Sequence, residues 1–347
     1  MHCKAILLDK TLPAPAKADE VKAEDADGKS LGARSSHGCS VFEGSAYVFG
    51  GEIIARTPVD STLWSRNLSE ASEWAPVEAK GDAPPHRVAH AQAVVGGFLY
   101  IFGGRQGISM EEAPLNDLWK FSFKDRAWTG PINPKQGTPP AARSFHKMLP
   151  LGDKLYVYGG CSAKGRLADL HCYDCTTDSW SFLSDPPESM PGRGGAGFVA
   201  SSDSKSLFVV GGFIGQESNA VYRFELEAKK WEVVLAEGND KIRPFSVSCG
   251  VTLSDVLLFF GGEVDPSTKG HEGAGSFSSD VVILNGLTGL PTSTVKLEAS
   301  TSPGPQARGW AAADAWGGDK MVLYGGLSGS DKEPTRLADT WVLQLSK

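Results

Sequence analysis

Glu263, Asp265, His271 and Glu272 fall within ten residues of one glycine-rich stretch, Glu263-Val264-Asp265-Pro266-Ser267-Thr268-Lys269-Gly270-His271-Glu272-Gly273-Ala274-Gly275. One imidazole with up to three carboxylates is the ligand mixture of a histidine-carboxylate metal site with open positions, suited to Fe(II) or Mn(II). The same composition also describes a glycine-rich loop with solvated charges. Arginine offers a second chemistry. Arg34, Arg87, Arg143, Arg193, Arg243 and Arg308 recur along the chain, and Arg105 stands apart from that series. Guanidinium groups gathered at one place give planar, bidentate recognition of carboxylate, sulfate or phosphate. The structural alternative is that they pair with Glu52, Glu263 and loop carbonyls and brace the fold.

The elements that must position these groups show as a repeat. Six apolar runs each end in a glycine pair: Ala46 to Gly51, Leu99 to Gly104, Leu155 to Gly160, Leu207 to Gly212, Leu257 to Gly262 and Met321 to Gly326. The pairs recur at intervals of 53, 56, 52, 50 and 64 residues, and each run has one of the six serial arginines 16 to 18 residues before its first glycine. Trp74, Trp128, Trp180 and Trp231 follow four of the pairs at a similar distance. A continuous apolar run suits a strand covered on both faces, and Gly-Gly permits a close-packed exit from it. Asp60, Asp117, Asp169, Asp280 and Asp339 precede the third strand of five units, a repetition that assigns them to turn or loop bracing.

This pattern resembles the kelch repeat, whose period is about 50 residues, over nearly the whole chain from Arg34 onward. The resemblance implies an all-β fold, a six-bladed β-propeller in one domain, with blades at 34–86, 87–142, 143–192, 193–242, 243–307 and 308–347. The sixth unit ends one strand short, so residues 1–10, through Cys3 to Leu8, are expected to supply that strand and close the ring. Residues 11–33 read as a flexible linker, being rich in Pro, Ala, Lys, Asp and Glu between Thr11 and Lys29. In antiparallel blades the arginines share one mouth of the channel with the residues after each glycine pair: Glu52, Arg105, Cys161, Phe213, Glu263 and Leu327. His37, His90 and His146 each lie three residues after a serial arginine, which suits packing and backbone hydrogen bonds inside the channel.

Five segments sharpen the resemblance: Arg34-Ser35-Ser36-His37-Gly38, Gly103-Gly104-Arg105, Gly165-Arg166-Leu167-Ala168-Asp169-Leu170, the loop after Gly262, and Arg308-Gly309-Trp310. Together they are similar to the plant specifier proteins, namely the nitrile-specifier, epithiospecifier and thiocyanate-forming proteins. That resemblance implies Fe(II) held by a Glu, an Asp four residues on and a His four further, steering breakdown of a glucosinolate aglycone. Glu263 takes the glutamate place and His271 the histidine place. Ser267 stands at the aspartate place, with Asp265 the nearby carboxylate, and a hydroxyl binds iron less well than a carboxylate. Arg105 and Arg166 match the family's sulfate-contacting arginines, and Trp310 matches an aromatic of its pocket wall. Arg34 and Glu52, at the same mouth, complete the candidate ligand-binding set.

Composition bounds the partners. With 34 Lys plus Arg against 41 Asp plus Glu, a net charge of −7 and no basic run, nucleic acid is not an expected partner. Ala5 to Leu8 is too short an apolar stretch for a leader or a membrane span, so a cytoplasmic address and no membrane partner are expected. Six irregularly spaced cysteines read as reduced thiols. The expected ligand is an anionic small molecule, with Fe(II) as possible cofactor; the alternative is a non-catalytic module binding an acidic peptide or protein.

Overall fold

Each glycine pair closes the second strand of a four-stranded antiparallel sheet, and six such sheets form the propeller. The computed structural model describes residues 1–9, 16–17, 30–69, 72–107, 113–270, 273–299 and 304–346. From the channel outward, blade 1 comprises Gly38–Phe42, Ser45–Phe49, Leu63–Asn67 and Ala75–Pro76. Blade 2 comprises Ala91–Val95, Phe98–Gly104, Leu115–Ser122 and Ala127–Thr129. Blade 3 has Lys147–Leu151, Lys154–Ser162, Gly165–Asp174 and Ser179–Ser184. Blade 4 has Gly197–Ala200, Ser206–Val210, Val221–Glu225 and Lys230–Leu235. Blade 5 has Cys249–Leu253, Val256–Phe260, Asp280–Asn285 and Pro291–Lys296. Blade 6 is built from Ala312–Trp316, Lys320–Ser330, Glu333–Ser346 and the N-terminal strand His2–Leu7.

The strands follow from burial. Ser206–Val210 and Val256–Phe260 are buried at every position because neighbouring blades cover both faces, whereas the outer strand Pro291–Lys296 alternates with solvent. Tryptophans fill the gaps between blades. Trp128 packs with Phe49, Trp180 with Phe102, Trp231 with Tyr158 and Trp74 with Tyr324, each against the preceding blade. The second glycine of each pair has φ between 95° and 110°. At Gly104 a Cβ would stand 2.7 Å from the Val88 carbonyl oxygen, so a side chain is excluded by space as well as by φ.

Ring closure falls where the short sixth unit requires it. His2–Leu7 pairs antiparallel with Trp341–Ser346 through all six residues, and Cys3 and Ala5 are buried beneath it. Of the expected linker, residues 16–17 and 30–33 are described. Ala16 and Lys17 pair with Arg336 and Thr335, and Leu31 and Ala33 are buried, with the Gly32 carbonyl accepting a 2.7 Å bond from the Tyr324 hydroxyl. Packing of Leu31 against blade 1 therefore extends the framework N-terminal to Arg34.

The serial arginines hold this framework. Arg87 Nη1 donates to the Gly103 carbonyl at 2.9 Å and its two Nη atoms grip Asp117 at 2.8 Å each. Arg143 does the same with Gly159 and Asp169, and Arg308 with Gly325 and Asp339. Arg34 bonds Gly50 and Asp60, while Arg193, which has no aspartate, bonds Gly211 and Ser218. All five are at most 1% exposed; Arg243, paired with Asp280 at 3.1 Å, has its side chain 39% exposed. The carboxylates that brace them are the repeated aspartates rather than Glu52 and Glu263.

Candidate functional site

At one mouth of the channel the blades are joined by a closed ring of backbone hydrogen bonds. Ala89 N donates to Ser36 O, Phe145 N to Ala89 O, Gly195 N to Phe145 O, Val247 N to Gly195 O, Trp310 N to Val247 O and Ser36 N to Trp310 O, at 2.7 to 3.1 Å. All six residues have φ between 47° and 61°. Five are not glycine, so the bonds around the ring stabilise a backbone shape that the side chains alone disfavour. Each ring residue follows a residue bridged to the position after a glycine pair, as in Val88 with Arg105, Ser144 with Cys161, Gly194 with Phe213 and Ser246 with Glu263. That pairing sets the post-glycine side chains around the ring.

Above the ring lies a cavity of about 540 Å³ walled by blades 2 to 6. Arg105, Arg166, Glu263, Ser267 and Trp310, drawn from distant parts of the sequence, all line it, with Phe145, Cys161, Phe213 and Val247. Blade 3 carries Arg166 because its second and third strands continue past the glycine pair, Cys161 facing Arg166 and Ser162 facing Gly165 in register. The exposed Arg166 guanidinium sits 4.7 Å from the Phe213 ring centroid, a cation–π contact that orients it over the cavity. Burial pushes the Cys161 thiol up against the opposing pull of Arg166 and Arg105, which line the same cavity. Trp310 stands edge-to-face with Phe277 at 5.8 Å. At Gly194 a Cβ would lie 3.0 Å from Cys161 Sγ, so the glycine keeps this wall close-packed.

The blade 5 side is acidic. Glu263 is 5% exposed, and burial pushes its carboxyl up to about 7 against hydrogen bonds from the backbone of Ser267 and Gly275. Glu217 was not singled out in the sequence. It lies beside Glu263, is 6% exposed and is pushed up to about 8, first by burial and then by Glu263 and Asp265. The loop that follows Glu263 is fastened to blade 6 by Asp331, whose carboxylate accepts from the Ser267 hydroxyl and from Thr268 Oγ1 at 3.0 Å, while its carbonyl accepts from Lys269 Nζ at 2.9 Å. Ser267 is thereby committed to Asp331. Asp265 is exposed in the short hairpin Glu263–Asp265 with Ser276–Phe277, and His271 lies outside the described residues. Among the described residues no group of three His, Cys, Asp or Glu side chains is gathered around a metal position.

Arg34 and Glu52 are placed differently from the other candidates. Both are buried on the blade 1 side and neither lines the cavity. Arg34 braces Gly50 and Asp60, and Glu52 accepts from Ser36 Oγ at 3.0 Å and the Arg56 backbone at 2.6 Å. His37, His90 and His146 are wedged edge-on against Tyr324, Phe49 and Phe102 of the preceding blades at 5.4, 5.8 and 5.3 Å. Burial, then the neighbouring arginine, pushes His37 and His90 down to about 3, so these rings are neutral packing groups.

Propeller and repeat define the class, and comparison with known proteins agrees. The chain belongs to the kelch-repeat family: the KLHDC2/KLHL20/DRC7 Kelch-repeats domain matches residues 36–262. It is 27% identical over 330 residues to an N-(sulfonatooxy)prop-2-enimidothioate sulfolyase of Thlaspi arvense, a match covering 88% of this chain and 92% of that protein. It is 29% identical over 204 residues to the Leucine-zipper-like transcriptional regulator 1 homolog of Drosophila melanogaster, covering 56% of this chain but only 20% of that protein. Human Kelch domain-containing protein 1 is 30% identical over 192 residues, 49% of this chain and 46% of its own length. Among solved structures YjhT superposes with a TM-score of 0.71 at 17% identity, covering 92% of this chain and 97% of that one, a likeness of fold.

Proposed function

We propose that the mouth binds a small organic anion bearing a sulfate-like group, held by Arg105 and Arg166, with its apolar part against Trp310 and Phe213. The observation that carries this reading is that Arg105 and Arg166, from two different blades, line one cavity that also has aromatic walls and the buried Glu263 carboxylate. Such a pocket, mostly apolar with a few convergent charges, fits a small ligand. The Thlaspi arvense relative is named for a sulfonatooxy substrate, which supports the same class of ligand here. Where a sulfate group departs from its substrate, two arginines at that oxygen cluster stabilise the charge that develops on it.

An Fe(II) ion belongs to the same reading. The buried Glu263 carboxylate opposite a second carboxyl fits an oxygen-preferring divalent cation, and Glu263 with His271 would hold it. When bound, Fe(II) supplies an open coordination position for a donor atom of the ligand.

Phenyl sulfate, with phenol as its uncharged analogue, tests the anion site by calorimetry. Replacing Arg105 or Arg166 by Ala is expected to weaken phenyl sulfate about 10- to 100-fold, since a hydrogen bond to a charged group contributes about 1.5–3 kcal/mol. Arg243→Ala should leave it unchanged. Equal binding by all three variants overturns the anion site, and binding of an acidic peptide that only the Arg166 change abolishes would favour the peptide reading, because Arg166 is exposed on its hairpin.

A further inference from the structure

The central channel holds a second cavity, of about 340 Å³, on the other side of the hydrogen-bonded ring from the arginine mouth. Phe145 of that ring stands just before His146 and Lys147, and the inner strand Lys147–Leu151 runs from there toward an exposed Pro150 at the opposite face. The inner-strand residue paired with the last position before each glycine pair is Gly38, Ala91, Lys147, Gly197, Cys249 and Ala312 in blades 1 to 6. Apart from Lys147, none of these side chains is larger than a cysteine's. Lys147 therefore has the long side chain of an otherwise small layer, and it lines the cavity with Gly38, Ala91, Cys249 and Ala312. Its amino group makes no hydrogen bond or ion pair among the described residues.

The titratable groups that share the lining supply no counter-charge to it. Burial pushes the Cys249 thiol up to about 11 and the Cys39 thiol well above its usual value, while His37, His90 and His146 are pushed down, so all five are neutral at pH 7. Asp314, the one carboxyl in the lining, is pushed up to about 6 by burial and accepts from Val41 N at 2.7 Å and Ala315 N at 2.8 Å. Lys147 itself is pushed down by burial, with Cys249 opposing. A desolvated lysine gives up its proton more readily, and the free amine is a nucleophile. We propose that Lys147 is the nucleophile of a second site, inside the channel, that captures a small uncharged aldehyde as an imine. The nitrogen lone pair bonds the carbonyl carbon, and one amine proton passes to the carbonyl oxygen. The resulting hydroxyl then leaves with the second amine proton as water, so C=N replaces C=O without any oxidant or reductant. An aldehyde fits better than an anion, because an uncharged amine does not attract an anion and the Asp314 carboxylate repels it. A volume near the lower end of the about 300–1,000 Å³ of ligand cavities limits the guest to a few carbons.

Propanal with cyanoborohydride, which reduces the imine to a stable secondary amine, reads the site on the full-length protein at pH 7, with modified lysines located by peptide mass. Lys147 is expected to be modified at least about tenfold faster than the exposed Lys124 and Lys164, at a rate that saturates with propanal. Lys147→Met should abolish the fast phase and leave Lys124 and Lys164 as before. Propionate, an anion of the same size, should give no protection. Modification of Lys147 no faster than of Lys124 would overturn the assignment, as would a rate that rises in proportion to propanal without limit. Protection by propionate would also overturn it, in favour of an ammonium that holds an anion. Because the experiment needs neither Arg105 nor Arg166, its failure leaves the anion site at the mouth untouched.

Discussion

Asp339→Ala is expected to cost about 3–5 kcal/mol of unfolding free energy at pH 7, whereas Asp280→Ala, at the equivalent place in blade 5, should cost less than about 1 kcal/mol. The chemistry of the two pairs is the same and only their surroundings differ. Arg308 and Asp339 have side chains 1% and 5% exposed, so truncating the carboxylate strands a buried guanidinium. Arg243 is 39% exposed and can turn to water when Asp280 is removed. Urea unfolding at constant slope gives the comparison. The sign with pH is also set. Burial pushes Asp339 up, but the charge and hydrogen bonds of Arg308 and the bond from Trp341 Nε1 outweigh it and hold the carboxyl below its usual range. A depressed folded pKa stabilises above the unfolded value of about 3.9 and loses that contribution as pH falls through the folded one. The gap between wild type and Asp339→Ala is therefore full at pH 7 and narrows below about pH 4. Equal costs for the two variants, or a gap that widens in acid, would remove the bracing role.

Removal of residues 1–9 is expected to have the largest effect on stability, at least about 5 kcal/mol from six lost ladder positions and one broken buried ion pair. The N-terminal strand is held on both sides, by Trp341–Ser346 and by a short parallel pairing with Glu298 and Ala299. Asp9 accepts from Thr340 N at 2.7 Å and from Arg66 Nη1 at 2.5 Å, and Arg66, 3% exposed, also donates to the Leu8 carbonyl at 2.6 Å. Truncation bares a long sheet edge and leaves Arg66 without its carboxylate. A thermal midpoint lower by at least about 10 °C is expected, at about 2 °C or more per kcal/mol. The milder Asp9→Ala isolates the ion pair and should account for about 3 kcal/mol of it. A truncated chain that melts within a few degrees of the full one would show that the ring does not depend on this strand.

The fold was legible because its determinants repeat. Period, glycine pairs and serial arginines each occur six times, and ring closure followed from the missing fourth strand of the last unit. What repetition does not reveal is which groups pair. The arginines and the aspartates were both visible as series, yet their partnership depends on the third strand returning beside the glycine pair, which only the assembled blade shows. The hydrogen-bonded ring was invisible for a different reason. Ala89, Phe145, Val247 and Trp310 adopt a left-handed backbone that their side chains disfavour, so tertiary hydrogen bonds override local preference there. At the mouth, the antiparallel rule pointed to Arg105 and Glu263 and the specifier-protein resemblance added Arg166 and Trp310, and all four line one cavity. Glu217 escaped because it belongs to no repeat and no motif. Its one signal was a glutamate four residues beyond Phe213, in a loop otherwise made of Ile, Gly and Gln.

The central claim, that Arg105 and Arg166 hold an anion at this mouth, is tested most directly by a crystal structure of the chain with phenyl sulfate. The account predicts sulfate oxygens within hydrogen-bond distance of both guanidinium groups, near Cys161, with the ring against Trp310 or Phe213. A sulfate seated on Arg243 or in the central channel, with the cavity above the ring empty, would contradict it.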